Sequence, residues 1–472
     1  MREGSAATSA YSGDALAIVK SAIAAVDAQR AVRRAITRDG TRLVVHRKDA
    51  AAETIDLDSF ERVFVVGCGK AGAPMARAVG ELLGERLTAG VVVVKEGHGR
   101  ADWSPEKISL VPAGHPEPDR RGMRGAQKAA ALLRGAGERD LVLGLLSGGG
   151  SALWPLPCDG IALEDSIGLT RLLVASGASI ERINAVRKHL SLLKGGRAAR
   201  LAAPARCLVA VISDVVGDRL DTIASGPFTA DQSTWYDSWA VMEEYGLIER
   251  APGPVVERLR QGVIGALPET PKPGDTAFSR VTHAVCATNA DALRAAAAEA
   301  ESMGFAVEFF AECMTGDVER RAREFCAGLL RRSPHRGDRP LCFLAGGETT
   351  ISLGDAHGLG GRNQHFALAC AQWIRGYDHV AVVSCGTDGN DGPTDAAGGV
   401  VDGAGFDRAV RAGLDPVSAL RRRDAYHLLE AVGGLVKTGP TATNVMDIVV
   451  GIAGPPADDR PPAPTSEGGG GK

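Results

Sequence analysis

Five times along this chain a short apolar run ends abruptly in glycine mixed with charged or hydroxyl residues. Residues 62–72, RVFVVGCGKAG, set the pattern: four apolar residues deliver the chain to Gly67-Cys68-Gly69-Lys70-Ala71-Gly72, and from Ala71 onward the sequence reads as helix. A strand, a glycine turn and a helix make the repeating unit of α/β folds. Its crossovers force neighbouring strands to run parallel and gather polar loops at their carboxyl ends. The expected fold is therefore α/β, with two α/β domains built on mainly parallel, Rossmann-like sheets.

The pattern runs in two series. In the first, Asp14 caps a helix over 15–36, strands fall at 42–46, 62–66, 90–94, 108–111, 140–146 and 207–212, and helices at 122–134, 163–175 and 180–186. A proline-rich stretch, 252–273, follows. The second series places strands at 281–287, 306–310, 341–344, 380–383 and 447–452, with helices at 291–303, 317–330 and 364–373. The expected domains are 10–255 and 278–455, with a flexible tail over 456–472. Hydrophobic residues make up 44% of the 472, but aromatics only 4%, so the cores must come from Ala, Val, Leu and Ile. A net charge of −3 argues against a general nucleic-acid or anionic-membrane partner. Nine scattered cysteines without a C-x-x-C pair fit reduced thiols and a cytoplasmic location. No run approaches a transmembrane span, and the N-terminus lacks an apolar signal core.

The first loop matches G-x-G-x-x-G, the dinucleotide fingerprint, and Glu96 lies near where a ribose-binding acid would sit. Lys70 inside the loop points instead to phosphate, with Gly67 and Gly69 allowing close anion approach. Cys68 is expected to pack rather than react. In the second loop, Ser147-Gly148-Gly149-Gly150-Ser151, successive backbone N–H groups can wrap an anion while the serines add hydroxyl donors. The third carries Arg187, Lys188, His189 and Lys194, then Asp214 at a strand end, where it can hold Mg²⁺ or accept a hydroxyl proton. The fourth holds Glu348 and then Arg362 at a helix N-terminus, a guanidinium beside free N–H groups that suits a carboxylate or phosphate. The fifth holds Asp388, Asp391 and Asp395, readable as Mg²⁺ or ribose contacts, or as Asx turns. No Walker A, HRD or DFG motif occurs.

In order, the segments VGCGKAG, GHPEPD, SGGGSALWPLP, INAVRKHLSLLKGG, ISDVVGDRLDTIASGP, GGETT, GGRNQ, TDGNDGPTDAAG and TGPTATN resemble the class II glycerate 2-kinase family, over about residues 14–452. That family joins a large N-terminal glycerate-kinase domain to a C-terminal MOFRL domain. The resemblance implies transfer of the γ-phosphoryl group of ATP to the 2-hydroxyl of D-glycerate, with a divalent metal, usually Mg²⁺. It implies an active-site cleft between the two domains and places the family's essential lysine on Lys70, its essential arginine on Arg362, and polar positions lining that interdomain cleft on Asp214, Glu348 and Asn444. The metal would fall on Asp214 or Asp388, with Arg187 and Lys188 among the substrate- and nucleotide-binding groups. It leaves room for a homodimer. The chain departs from the usual pattern at Ala345, His365, Asn390 and Ala442, which bears on fine substrate preference. Two rival readings are a nicotinamide-dependent hydroxypyruvate or tartronate-semialdehyde reductase and a non-catalytic phosphosugar sensor.

Overall fold

The computed structural model describes residues 10–48, 50–98, 106–335, 337–352 and 357–455. The tail expected over 456–472 lies outside them. Two compact units emerge: a first of residues 26–288 with 442–445, and a second of the remainder.

The first unit is built on a fully parallel six-stranded sheet. Its spatial order is Ile108–Ala113, Ala89–Lys95, Arg62–Cys68, Asp140–Leu146, Arg206–Ile212, Val281–Ala287. This is the doubly wound 3-2-1-4-5-6 order, in which the chain leaves the two central strands toward opposite edges. The middle strands are apolar at nearly every position because helices cover both faces. Small side chains let those helices come close: Ala126, Ala129 and Ala130 of helix Arg120–Arg134 are fully buried against Val66, Val93 and Val142. The few aromatics are concentrated, with Trp154 and Phe228 in this core and Trp235 in a satellite cluster. A small antiparallel sheet, Ile36–Asp39, Arg42–Val45 and Glu53–Asp56, precedes it.

The second unit has a six-stranded sheet ordered Ala306–Asp317, Leu341–Thr350, Asp447–Ala453, Val380–Gly386, Gly398–Asp402, Leu435–Val436. Only the first pair is parallel; the other four are antiparallel. The α/β class holds for both units, but the expectation of a mainly parallel sheet fails in the second. The last strand, Asp447–Ala453, inserts in reverse between Leu341–Thr350 and Val380–Gly386. An apolar run such as IVVGIA carries no mark of its direction.

The division of the chain also differs from the one expected. Val281–Ala287, grouped with the second series, is the sixth strand of the first unit, in register with Cys207 to Ile212. The single helix expected over 15–36 is two, Ala10–Ala25 and Ala28–Ala35, and only the second belongs to the first unit. Asp27 starts that second helix as its N-cap, accepting from the Arg30 N–H at 2.9 Å.

Candidate active site

The central strands Arg62–Cys68 and Asp140–Leu146 lie side by side with Cys68 opposite Leu146, so loops 69–71 and 147–151 start together at the switch point of the sheet. They bond to each other. The Lys70 N–H donates to Gly148 O at 2.8 Å, the Ala71 N–H to Ser147 Oγ at 3.1 Å, and the Ser147 N–H to Cys68 O at 3.1 Å. The Gly72 N–H turns back to Gly69 O. The N–H groups with which a dinucleotide loop would hold a pyrophosphate are therefore taken up within the protein. Each fingerprint glycine has a packing reason instead. A Cβ on Gly67 would sit 2.6 Å from Leu145 O, one on Gly69 would enter Ser147, and one on Gly72 would meet Val92 at 2.9 Å. Gly67 and Gly69, expected to touch nucleotide, are buried scaffold positions. What the loop offers is the Lys70 side chain.

The second loop is the better anion cradle. Gly149 adopts φ +78°, and the N–H groups of Gly148 and Gly149 enter no hydrogen bond among the described residues. Side chains converge over this pair. A Cβ on Gly148 would collide with Asp214 Oδ2 and Asn444 Nδ2, and one on Gly149 would lie 2.8 Å from His115 Nε2 and 3.5 Å from Lys70 Cγ. Asn444 donates to Asp214 Oδ2 at 3.0 Å, fixing the orientation of that carboxylate. Lys70, Asp214 and Asn444, drawn from three distant segments, thus meet as expected. His115 joins them unforeseen; the motif GHPEPD contained it, but nothing in its neighbours marked the histidine rather than the acids. The two serines differ from expectation. Ser147 is fully buried and accepts from Ala71, while Ser151 shares a 2.5 Å hydrogen bond with Ser225, which in turn donates to Asn184 Oδ1. Gly150 is buried against Ala224 and Cys68. Cys68 is fully buried and its thiol pKa is pushed up by desolvation, as a packing residue requires.

The basic segment divides into structural and unpaired groups. Lys188 is buried and ion-paired with Asp231 at 3.2 Å and Asp221 at 3.8 Å, so it is a core cation rather than the substrate ligand expected. Asp231 also accepts from Thr270 and Ser233. His189 is fully buried between Ser238 and Glu269. Arg187 and Lys194 differ: both line a small cavity with Ser151. Lys194, 5% exposed, donates only to Trp154 O at 3.1 Å, and Arg187 makes no hydrogen bond among the described residues.

In the second unit, the strand ends carrying Glu348 and Asp388 lie beside the start of the reversed strand, where Asp447 is in register with Gly347 and Gly386. Arg362 grips Asp447 in bidentate fashion, Nε to Oδ2 at 2.6 Å and Nη2 to Oδ1 at 2.9 Å, and its Nη1 meets Glu348 Oε1 at 2.7 Å. Burial opposes the guanidinium charge, but the Asp447 carboxylate more than offsets it and raises the Arg362 pKa. The helix N-terminus is not open either. Asp391 accepts from the N–H groups of Asn363 at 3.1 Å and Gln364 at 2.8 Å, so the free donors expected beside Arg362 are capped. Asp388 accepts from the Asn390 N–H at 3.0 Å in an Asx turn, and Asp395 pairs with Lys437 at the surface. His365 is buried against Glu319. Asp447 escaped notice because an acid at the head of a strand signals nothing until its register is known.

A doubly wound sheet with a lysine, a carboxylate and a glycine cradle at its switch point, accompanied by a second α/β unit bearing a carboxylate-held arginine, defines a phosphate-handling α/β enzyme. Residues 14–260 match the family described as Domain of unknown function (DUF4147), and 341–447 match the MOFRL family. The D-glycerate 2-kinase of Thermotoga maritima is 40% identical over 93% of this chain and 97% of its own length. The crystal structure of glycerate kinase from the same organism superposes with a TM-score of 0.79, at 37% identity, over 94% of this chain and 99% of that one. A protein of Agrobacterium vitis with the provisional name hydroxypyruvate reductase is 39% identical over 82% of this chain and 86% of its own length. The chain belongs to the glycerate kinase family whose members pair this N-terminal domain with a MOFRL domain.

Proposed function

We propose that this chain is an ATP-dependent D-glycerate 2-kinase acting in the cytoplasm. The observation that carries the reading is the convergence of Lys70, His115, Asp214 and Asn444 on the Gly148–Gly149 pair, whose N–H groups remain available to an anion. Phosphoryl transfer needs positioning and charge neutralisation more than a covalent nucleophile. The glycine N–H groups hold phosphate oxygens, and Lys70 neutralises the charge that spreads over the transferring group. Asp214, oriented by Asn444, accepts the proton of the 2-hydroxyl as its oxygen bonds to the γ-phosphorus. The bond from that phosphorus to the β-bridging oxygen breaks, and ADP leaves. Among the described residues three of the five N–H donors of Arg362 go to Asp447 and Glu348, which leaves two for an anionic group.

Among the described residues no group of three His, Cys, Asp or Glu side chains could hold a metal. Mg²⁺ in such enzymes is ordinarily held by one or two carboxylates together with substrate phosphates, so the oxygen donors at hand, Asp214 and the Asn444 amide, fit it. Bound there, it would neutralise charge on the β- and γ-phosphates. Asp388, committed to its turn, suits that role less well. The cytoplasmic assignment rests on nine cysteines, none of them in a disulfide among the described residues. Among the described residues no helix is long and apolar enough to cross a membrane. A homodimer remains part of the proposal.

Against the reductase reading stands the Gly67–Gly72 loop, whose N–H groups are already bonded within the protein. The test is ADP release, coupled to a reporter reaction, with D-glycerate, ATP and Mg²⁺, and product analysis separating 2- from 3-phosphoglycerate. Lys70→Ala is expected to lower kcat by about 10³-fold, the scale of losing one charge-stabilising group. NADH oxidation by hydroxypyruvate without ATP turnover would overturn the class, and full activity of the variant would overturn the role of Lys70.

A further inference from the structure

The cavity beside the second loop is small, about 40 Å³. At roughly 10–15 Å³ for each water-sized probe, that admits a few waters or one carboxylate or phosphate group, and no nucleotide. Prolines and leucines such as Leu156, Leu169 and Leu190 make its apolar walls; its polar groups are hydroxyls, Ser151 and Thr170 among them, and the cations Arg187 and Lys194. The two cations face this pocket beside neutral groups only, and among the described residues neither has a carboxylate partner. The contrast with Lys188, one residue from Arg187, is instructive: that buried cation has two aspartates. Charged groups buried without a counter-ion are costly and are kept where a ligand supplies the opposite charge. Desolvation lowers Arg187 to about 10 and Lys194 to about 7, the latter helped by Arg187.

Resting on the kinase reading, we propose that Arg187 and Lys194 form the seat for the carboxylate of the hydroxy-acid substrate. Arg362, the other arginine to which that role could fall, is already held by two carboxylates. Ser151 lies two residues beyond Gly149, at most about 7 Å of chain, so a three-carbon acid seated here reaches toward the Lys70 and Asp214 cluster. The planar guanidinium matches a carboxylate through two parallel hydrogen bonds, and the apolar walls exclude competing water.

Arg187→Met and Lys194→Met test this in the full chain. Removing a buried unpaired cation should leave the ligand-free melting temperature equal or higher, so the variants fold. The KM for D-glycerate should rise about 10–100-fold, as for a lost hydrogen bond to a charged group, with the KM for ATP unchanged. D-glycerate should raise the melting temperature of the wild type and not of the variants. Unaltered KM for D-glycerate in both variants overturns the proposal. So does an Arg187-dependent rise in melting temperature with inorganic phosphate that D-glycerate does not produce, which would mark a phosphate seat. Should D-glycerate leave the wild-type melting temperature unmoved, the KM comparison decides. Arg187-dependent binding of D-glycerate by a wild type that releases no ADP would leave the pocket standing and sink the kinase reading.

Discussion

Gly148 shows how much of a site can rest on one hydrogen atom. The backbone there passes beneath Asp214 and Asn444, and any Cβ would displace both side-chain ends. Because the colliding atoms are side-chain ends rather than backbone and the φ of Gly148 is not positive, Gly148→Ala should fold normally while breaking the 3.0 Å bond that aims Asp214. Misplacement by about 1 Å can cost on the order of 10²-fold, so kcat should fall by about that factor with the melting temperature nearly unchanged. A variant with wild-type kcat would show that the aim of Asp214 is immaterial. Lys70 and Asp214 were legible in the sequence because each follows a strand end directly, where the fold exposes side chains. His115 and Asp447 were not, since their importance comes from neighbours that only the folded register supplies. The glycine fingerprint was legible but misleading: the same spacing that admits a pyrophosphate here admits the neighbouring loop.

Helix Arg362–Trp373 carries the arginine, and Asp391 fixes where it begins. This carboxylate is 2% exposed, and burial pushes its pKa up to about 6 against the hydrogen bonds from Gln364 and Asn363 that favour its ionised form. The folded value lies above the 3.8 of an ordinary aspartate. The native state therefore holds the proton more tightly than the unfolded chain. The group favours folding most below pH 3.8, and that contribution is lost as pH rises to about 6 and stays flat beyond. Urea midpoints of wild type minus Asp391→Asn should fall across this window and level off above it. A difference that rises with pH would contradict the argument. At this scale the sequence was legible wherever apolar period and length agreed: Asp140–Leu146, Leu163–Ala175 and Val281–Ala287 have the expected bounds. It failed where continuity was the question. The helical pattern over 15–36 hides the break before Asp27, because alanine-rich sequence on both sides favours helix equally.

That break is also where the chain changes unit. Helix Ala10–Ala25 precedes the first unit in sequence yet packs in the second, against helix Asn289–Ser302 and strands Val380–Gly386 and Asp447–Ala453. Ser21 donates to Glu299 at 3.2 Å, and Ala15, Ile18 and Ala22 are fully buried. Sequence order suggested that an N-terminal helix stabilises an N-terminal domain; the contacts say that it completes the C-terminal one. Ala22→Asp separates the two views. A carboxylate buried there without a partner should cost about 3 kcal/mol, or roughly a hundredfold in local opening. Hydrogen exchange should then quicken in Asn289–Ser302 and Asp447–Ala453, while strands Arg62–Cys68 and Asp140–Leu146 keep their protection. Because Asp447 heads one of the affected strands and holds Arg362, the variant should also lose kinase activity although it lies far in sequence from either residue. Faster exchange in the parallel sheet of the first unit, with the second unit untouched, would show that the helix belongs where the sequence order put it.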